Sequence, residues 1–308
     1  MVNTIKKESI THAWVSSLRL KTLPLACCGI ITGTALVIAQ GLKMNGWVFL
    51  FSLLTAVLLQ LVSNLANDYG DMQKGSDTEQ RIGPKRGMQY GVISSVQMKW
   101  AIIFVGFLSL VSGITLIVLA CRTLSDVLAF IVLGGVSLIA AITYTVGKKA
   151  YGYSGFGDLS VLTFFGYVGV MGSFYLQTHH IGLYSFLPAT ACGLLGTLVL
   201  NVNNMRDIQE DERNGKRTLA VRLGSKNVRY YHLSLLIGSF SCLVLFASLY
   251  AEGNPYIWLF LFALPLFYLN GYAVLVHKDP IQLQKQLAMA VKINVCTLAL
   301  FSIGLFLT

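Results

Sequence analysis

Two clusters of acidic and amide side chains repeat one spacing in distant parts of the 308-residue chain. Asn67 precedes Asp71 by four residues, and Asn203 precedes Asp207 by four, with Asp211 a further four residues along. Residues four apart lie on one face of a helix, so each cluster can direct its oxygens into one space. Carboxylate and amide oxygens suit a hard cation such as Mg²⁺, which typically binds through one or two carboxylates together with substrate phosphates. The spacing therefore predicts a site for Mg²⁺, with Mn²⁺ as an alternative, that holds a phosphorylated substrate.

The repetition decides how these acids are interpreted. A single aspartate in a loop is usually a solvated residue or a helix cap, but two copies of one spacing at matching positions argue for a shared role. Metal ions held by two facing clusters can flank a diphosphate, neutralise the charge that develops on this leaving group and fix its position. Catalytic roles are accordingly predicted for Asp71 and Asp207, and contacts with the substrate for Asn67 and Asn203.

Basic residues accompany both clusters. Tyr144 and Lys148 are again four apart, so they are expected on one face at the end of a helix, and both are predicted to be catalytic. Lysine and arginine bind phosphate oxygens through charge-assisted hydrogen bonds. The other basic candidates for substrate binding near the clusters are Arg206, Lys216, Arg81, Lys85 and Arg86. For the last three, membrane topology or contact with anionic lipid is the alternative.

The composition places these clusters in a membrane protein. Hydrophobic residues make up 55% of the chain and charged residues only 12%, about half the charged fraction of a typical soluble domain. An apolar run of about 20 residues spans a bilayer as a helix, which satisfies its own backbone hydrogen bonds in lipid. The sequence therefore predicts an all-α membrane protein with nine transmembrane helices in a bundle. Their expected ranges are roughly 23–40, 46–66, 98–121, 125–144, 157–177, 182–203, 231–250, 256–276 and 287–307.

Positive charge sorts the connecting segments between the two sides of the membrane. Of the 23 lysines and arginines, all but Lys43 and Arg122 fall on one side of this arrangement. Positive charge is retained in the cytoplasm, so the N-terminus and the two long connectors, about 67–97 and 204–230, are predicted to be cytoplasmic. These connectors carry both acidic clusters, which places the predicted active site on the cytoplasmic face. Topology accounts for the net charge of +10, and membrane lipid but no nucleic acid is expected as a partner.

The organisation of the chain predicts one polytopic domain over residues 1–308. Each acidic cluster follows an even-numbered span, the second or the sixth, which indicates a duplicated four-helix unit with one acidic motif per half. A purely structural membrane protein has no need of paired acidic motifs. A divalent-cation or phosphate transporter is the alternative from another functional class, but it needs acids near the bilayer midplane, whereas these lie at helix ends.

This set of residues resembles the UbiA superfamily of intramembrane aromatic prenyltransferases. That superfamily has an Asn-x-x-x-Asp-x-x-x-Asp motif in each half and a Tyr-x-x-x-Lys motif between them. The resemblance covers essentially the whole chain. It rests on Asn67, Asp71, Tyr144, Lys148, Asn203, Asp207 and Asp211. It implies metal ligation by the aspartates of both motifs and prenyl transfer from a prenyl diphosphate.

One position departs from the superfamily pattern. Gly75 stands where the third residue of the first motif is usually Asp, and either Asp68 or Asp77 can supply the missing metal ligand. The stretch around Gly75 is similar to the branch of the superfamily that acts on 1,4-dihydroxy-2-naphthoate, in which this glycine is expected. Segments 18–24 and 203–218 resemble the same branch.

The resemblance to this branch implies a complete reaction. A polyprenyl diphosphate would ionise, the naphthoate ring would attack the allylic cation, and loss of carbon dioxide followed by oxidation would give demethylmenaquinone in a bacterial inner membrane. Arg19 and Lys21 precede the first span and are candidates to bind the carboxylate of the acceptor, with a role in topology alone as the alternative. Within the superfamily the main alternative is a 4-hydroxybenzoate polyprenyltransferase, against which Gly75 argues.

Overall fold

The computed structural model describes residues 9–76, 83, 85–251, 253–277 and 279–307. Every regular element in these ranges is a helix, and nine of the helices are long and apolar enough to cross a membrane. The predictions of an all-α membrane protein and of nine spans are therefore confirmed. The cytoplasmic N-terminus and the duplicated four-helix unit stay predictions. Asp77 and Arg81, two predicted site residues, lie outside the described residues.

The helices follow one another with short connections. Helix α1 (Ile10–Leu18) leads through a 3₁₀ turn into the first long helix, α2 (Leu23–Ala39). The other helices are α3 (Gly46–Gln73), α4 (Ser95–Ala120), α5 (Leu124–Thr143), α6 (Gly157–Thr178), α7 (Leu183–Arg206), the short α8 (Ile208–Arg213), α9 (Leu219–Tyr250), α10 (Pro255–Val276) and α11 (Pro280–Phe306).

Local sequence sets most of the helix ends. Ser94 caps the start of α4 and Thr123 caps the start of α5, each by accepting a backbone N–H from the first turn. The junction between α1 and α2 is different, because Arg19 there adopts a left-handed conformation with a φ of 49°. This conformation is uncommon for a residue with a side chain. Here it ends α1, and the Arg19 guanidinium reaches Asp68 of α3 at 2.8 Å.

Helix α7 forms the centre of the bundle. In its most apolar window 61% of the residues are buried, against 11% in α5. Helix α7 packs against α6, α9 and α11, and α11 also packs against α2. Phe174, Phe246, Phe260 and Phe301 are among the largest fully buried side chains of this core. Helices α4 and α5, by contrast, form a looser wall, and a cavity lies behind it.

The predicted boundaries of the two long connectors are wrong. Helix α3 continues to Gln73, so Asn67 and Asp71 lie on its final turns rather than in a loop. The chain is helical again from Leu219, with a break inside α9 at Gly224 (φ 73°, ψ 167°), so the second connector is shorter than predicted and contains α8. The prediction ended the second span at residue 66, where the polar residues of the first motif begin. Polar residues that face a cavity, however, continue a transmembrane helix without contact with lipid.

Candidate active site

A large cavity extends from the first acidic motif and Asn203 of the second into the apolar interior of the bundle, whereas Asp207 and Asp211 are not among the residues that line it. Its volume is about 1430 Å³. The polar end is lined by Asn67, Asp71, Asn203, Arg206 and Lys216, and the deep end by mostly apolar residues of α4, α5 and α6. The structure thus brings the two motifs to one space. A cavity of this form can hold a charged head at one end and a long apolar tail in the remainder.

Asp71 lies near the end of α3, and its side chain is almost fully buried. It accepts hydrogen bonds from the Arg86 guanidinium and, at 2.8 Å, from the hydroxyl of Tyr153. Burial and the nearby Asp71 carboxylate raise the pKa of Tyr153, so this phenol stays protonated and acts as the donor. Asn67, one turn earlier, accepts a hydrogen bond of 3.1 Å from the Thr145 hydroxyl. Each side chain of the first motif is therefore fixed by a donor from another segment.

Asp68 is completely buried, and donors occupy both of its oxygens. The Arg19 guanidinium donates to Oδ1 at 2.8 Å, and the backbone N–H of Gly87 donates to Oδ2 at 3.2 Å. The Arg86 Nε lies 3.8 Å from the same carboxylate. Asp68 thus joins α3 to Arg19 and to the segment after residue 84. Of the two predicted replacements for the missing aspartate, Asp68 is the weaker, and Asp77 lies outside the described residues.

Arg206 organises the second motif from a buried position at the end of α7. Its guanidinium donates to both carboxylate oxygens of Asp207, to Asn203 at 3.0 Å, and to the amide oxygen of Gln284 on α11. A planar guanidinium with several donors suits such multiple contacts. Gly83 lies close to this guanidinium: a Cβ added to Gly83 would be 3.0 Å from the Arg206 Nη2. Arg206 therefore holds two motif residues and links α7 to α11.

Asp211 completes the second motif from α8. Its Oδ1 lies 3.3 Å from the Lys216 ammonium, whereas its buried Oδ2 has no hydrogen-bond partner among the described residues. Burial, opposed by the Lys216 ammonium and assisted by the Asp207 and Asp71 carboxylates, raises the pKa of the Asp211 carboxyl to about 6. A buried carboxylate oxygen without a partner is costly. This atom is therefore a suitable ligand for a bound cation.

Contacts between the connecting segments hold the two motifs next to each other. The Lys216 ammonium lies 5.4 Å from the centre of the Tyr153 ring, whose hydroxyl donates to Asp71. The side-chain amide of Asn214 donates to the carbonyl of Ser76 at 3.4 Å, and the Ser76 and Tyr153 hydroxyls are 2.7 Å apart. The connectors after α3, α5 and α7 thus meet above the cavity.

The departure at Gly75 has a structural explanation. Gly75 has a φ of 65° and ends α3 in a Schellman motif, in which the N–H of Ser76 bonds to the carbonyl of Asp71. Gly215 has a φ of 70° and ends α8 with the same hydrogen bonds, one of them to the carbonyl of Asp211. Glycine adopts this left-handed conformation without the penalty that a Cβ brings. The glycine at position 75 therefore terminates α3 within one turn after Asp71.

Tyr144 and Lys148 do not share a helix face, so this prediction is wrong. Helix α5 ends at Thr143, and Gly147, with a φ of 99°, turns the chain before Lys148. Tyr144 lines the cavity and packs edge-on against Tyr151, with ring centres 5.3 Å apart. Lys148 is exposed and is not among the residues that line the cavity. The four-residue spacing places side chains together only within a continuous helix, and here the helix stops first.

Three further residues of the site carry no motif in the sequence: Thr145, Tyr153 and Gln284. Thr145 donates to Asn67, Tyr153 donates to Asp71, and Gln284 accepts from Arg206. None of the three is charged or spaced regularly from an acid. Of the three, only Tyr153 has a sequence context that points to the site. It lies in the glycine-containing segment 151–155, which the charge distribution places on the same side of the membrane as both acidic motifs.

The acids as arranged do not form a complete metal site. Among the described residues, no three His, Cys, Asp or Glu side chains are grouped so as to hold a metal ion. Each acid is instead paired with a cation, in the pairs Asp71–Arg86, Asp207–Arg206 and Asp211–Lys216. The donor set nevertheless fits Mg²⁺, because it consists of carboxylate and amide oxygens and includes the unpartnered Oδ2 of Asp211.

The ion pair between Arg19 and Asp68 should contribute to folding stability. Arg19→Gln removes the closest cation from a completely buried carboxylate, and we expect a loss of about 2 kcal/mol in the free energy of unfolding, the scale of a hydrogen bond to a charged group. Thermal unfolding of the purified protein in detergent measures this loss. The double variant Arg19→Gln/Asp68→Asn should recover most of it, since no buried charge then lacks its partner.

Lys21→Gln is the matched control for this prediction. It removes the same charge two residues away, and it breaks no ion pair with a described residue. We expect its free energy of unfolding to change by less than about 0.5 kcal/mol. Equal destabilisation by Arg19→Gln and Lys21→Gln would contradict a specific role for the ion pair.

Comparison with known proteins gives matches along almost the entire chain. Residues 28–296 match the UbiA prenyltransferase family. The chain is 53% identical over 305 residues to the 1,4-dihydroxy-2-naphthoate octaprenyltransferase of Escherichia coli (strain K12), covering 99% of this chain and 98% of that protein. It is 48% identical over 295 residues to the protein of the same name from Haemophilus influenzae, covering 96% of each.

Two solved structures share the fold. A structure of digeranylgeranylglyceryl phosphate synthase has a TM-score of 0.63 and 16% identity, covering 97% of this chain and 99% of that one. A UbiA homolog from Archaeoglobus fulgidus, bound to DMAPP and Mg²⁺, has a TM-score of 0.53 and 13% identity, covering 94% and 99%. The structural likeness extends to nearly all of the fold, and the family match covers well over half of the sequence. The chain therefore belongs to the UbiA prenyltransferase family.

Proposed function

We propose that this prenyltransferase transfers a polyprenyl group from polyprenyl diphosphate to 1,4-dihydroxy-2-naphthoate, with loss of the acceptor's carboxyl group, and so produces demethylmenaquinone for menaquinone biosynthesis. The two relatives of 53% and 48% identity, both 1,4-dihydroxy-2-naphthoate octaprenyltransferases, support this acceptor. The structural observation that carries the proposal is a cavity whose charged end is lined by Asn67 and Asp71 of the first motif and Asn203 of the second, together with basic residues, and whose depth is lined by mostly apolar residues.

The charged end of the cavity suits a diphosphate group. Arg86, Arg206 and Lys216 line this end, and each is paired with an acid of the motifs. Phosphate oxygens accept charge-assisted hydrogen bonds from the same cations, and arginine binds them in a bidentate manner. A diphosphate can therefore replace the carboxylates as the partner of these basic groups. The acids released by this exchange are then available to a metal ion.

The residues that would hold the metal are Asp71, Asp207 and Asp211, with Asn67 and Asn203 beside them and Asp77 as a further proposed ligand. When bound, Mg²⁺, or Mn²⁺ in its place, neutralises the charge that develops on the departing diphosphate. Arg86 holds the carboxylate of Asp71, and Arg206 holds that of Asp207. Tyr153 serves the same purpose through its hydrogen bond to Asp71.

The remainder of the cavity suits the prenyl chain and the cation that forms when the diphosphate leaves. The apolar residues of α4, α5 and α6 line this part, and they keep out water that would capture an allylic cation. Tyr144 also lines the cavity, and the face of its ring can stabilise positive charge on the prenyl carbon. We propose no role for Lys148, because it is exposed outside the cavity.

The proposed location is the inner membrane of a bacterium, with the active site facing the cytoplasm. The nine long helices make the chain a multi-pass membrane protein. Its sidedness is inferred from charge, because all but two of the 23 lysines and arginines fall on the side of the acidic motifs. The whole chain, residues 1–308, then acts as one catalytic domain.

The acceptor can be identified by incubating membranes that contain the protein with Mg²⁺, a polyprenyl diphosphate and either 1,4-dihydroxy-2-naphthoate or 4-hydroxybenzoate. We expect a product only with the naphthoate, because the two relatives at 53% and 48% identity are 1,4-dihydroxy-2-naphthoate octaprenyltransferases. Mass spectrometry should give the mass of the decarboxylated, prenylated naphthoquinol or its quinone. Prenylation of 4-hydroxybenzoate, with the naphthoate left unchanged, would overturn the proposed acceptor.

Turnover should also require a divalent cation. We expect EDTA to abolish it and Mg²⁺ or Mn²⁺ to restore it. The Mg²⁺ concentration for half-maximal rate should increase as the pH falls through about 6, because protonation of Asp211, whose pKa is raised by burial, removes a metal ligand. Rate measurements over a range of Mg²⁺ concentrations on both sides of this pH test the prediction. Full turnover after exhaustive chelation would rule out the metal-assisted mechanism.

Loss of one motif carboxylate should abolish most of the activity. We expect Asp71→Asn and Asp211→Asn each to lower kcat at least about 100-fold, the scale seen when preorganised charge stabilisation is removed. Glu212→Gln is the matched control, because it removes the same charge from an exposed residue next to Asp211. Each variant is compared at equal amounts of protein in the membrane. A rate for Asp71→Asn close to that of Glu212→Gln would show that the first motif is not catalytic.

A further inference from the structure

The cations that line the cavity fall into two groups. Those paired with an acid are Arg19, Arg86, Arg206 and Lys216. Lys21, Lys85 and Lys292 also line the cavity, but they form no ion pair with any residue in the described ranges. An anionic substrate group that is not a phosphate therefore has these three lysines as its available partners.

Lys292 differs from the other two lysines in its depth. Lys21 precedes α2 by two residues, and Lys85 lies in the connector between α3 and α4. Lys292 lies within α11, on the same helix face as Gln284 and Ala288, which also line the cavity. Gln284 accepts a hydrogen bond from Arg206, so this part of α11 is level with the second acidic motif. With a rise of 1.5 Å per residue, Lys292 lies about 12 Å further along the helix into the bundle.

The direction of a helical side chain brings the Lys292 ammonium back toward the motifs. Side chains on a helix lean toward its N-terminus, which for α11 is the end that carries Gln284. The ammonium should therefore lie between the level of the diphosphate site and the apolar depth of the cavity. A charged residue inside a transmembrane segment is costly unless it faces a cavity or a partner, so such a residue usually marks a functional site.

We propose that Lys292 binds the carboxylate of the aromatic acceptor, an inference that rests on the proposed function. The acceptor ring must lie against the first carbon of the prenyl chain, just beyond the diphosphate on the apolar side. Lys21 and Lys85 lie at the level of the acidic motifs or outside it, whereas the Lys292 ammonium lies on the inner side. Arg19, the other candidate for this role, is already paired with Asp68 at 2.8 Å. Lys292 thus combines an available charge with the depth that the acceptor needs.

Steady-state kinetics of the whole protein in membranes can test this assignment. We expect Lys292→Met and Lys292→Gln to raise the KM for 1,4-dihydroxy-2-naphthoate by about 10-fold or more, the loss expected for a hydrogen bond to a charged group. The KM for polyprenyl diphosphate should change by less than about 2-fold, because its partners are unaltered. Lys292→Arg should keep the KM for the naphthoate near the wild-type value. Inhibition by 1,4-dihydroxynaphthalene, which has no carboxylate, should be equally strong in the wild type and Lys292→Met.

Lys285→Met is the matched control, because Lys285 and Lys292 are both exposed on α11 but only Lys292 lines the cavity. The KM for the naphthoate should not change in this variant. Wild-type turnover of the naphthoate tests the proposed function separately, and the variants are judged against that rate. The inference is overturned if either neutral variant of Lys292 binds the naphthoate like the wild type or like Lys285→Met. It is also overturned if Lys292→Met weakens inhibition by 1,4-dihydroxynaphthalene as much as it raises the KM for the naphthoate. The same holds if only Lys21→Met or Lys85→Met raises the KM for the naphthoate.

Discussion

Neutralisation of buried charge at one end of the helix bundle is the constraint on which the rest of this structure depends. Asp68, Asp71, Asp207 and Asp211 are all buried, and an ionised carboxylate in such surroundings is stable only with a partner. Each of them has a cationic partner. The pairs also connect elements, since Asp68 joins α3 to Arg19 at the end of α1. Removal of one partner therefore disturbs both the electrostatics of the site and the packing around it.

The sequence predicted the parts of the site that follow from a regular helix. Asn67 and Asp71 are four apart on an unbroken helix, and both line the cavity. The prediction for Tyr144 and Lys148 used the same spacing and was wrong, because a turn at Gly147 separates them. Tyr153 could not be predicted as a partner of Asp71, since the two lie far apart in the chain and meet only when α3 and the connector after α5 are packed together. Local spacing is thus a guide within one element, whereas contacts between elements depend on the fold.

Gly75 illustrates how a departure from a motif can have a backbone cause. Asp71 and Asp211 are each the last motif acid before a glycine with positive φ, and each accepts the closing hydrogen bond of its Schellman motif. By local structure Asp71 therefore corresponds to Asp211, and Gly75 to Gly215. By position in the predicted four-helix repeat, Asp71 instead corresponds to Asp207. The second motif has one additional acid in either alignment, so the two halves of the site are not equivalent.

The balance of charge around the cavity argues for a metal ion more strongly than the grouping of the acids does. Asp71, Asp207 and Asp211 face three cations, so the motif region is close to neutral by itself. A multiply charged diphosphate that entered this region alone would leave a large negative excess in surroundings of low dielectric constant, where uncompensated charge is very unfavourable. Divalent cations that arrived with the diphosphate would remove this excess. They would also give the three carboxylates new partners when the basic residues turn to the phosphate oxygens. The acid–base pairs can thus be understood as a neutral resting arrangement in which acid and base are both ready to change partner.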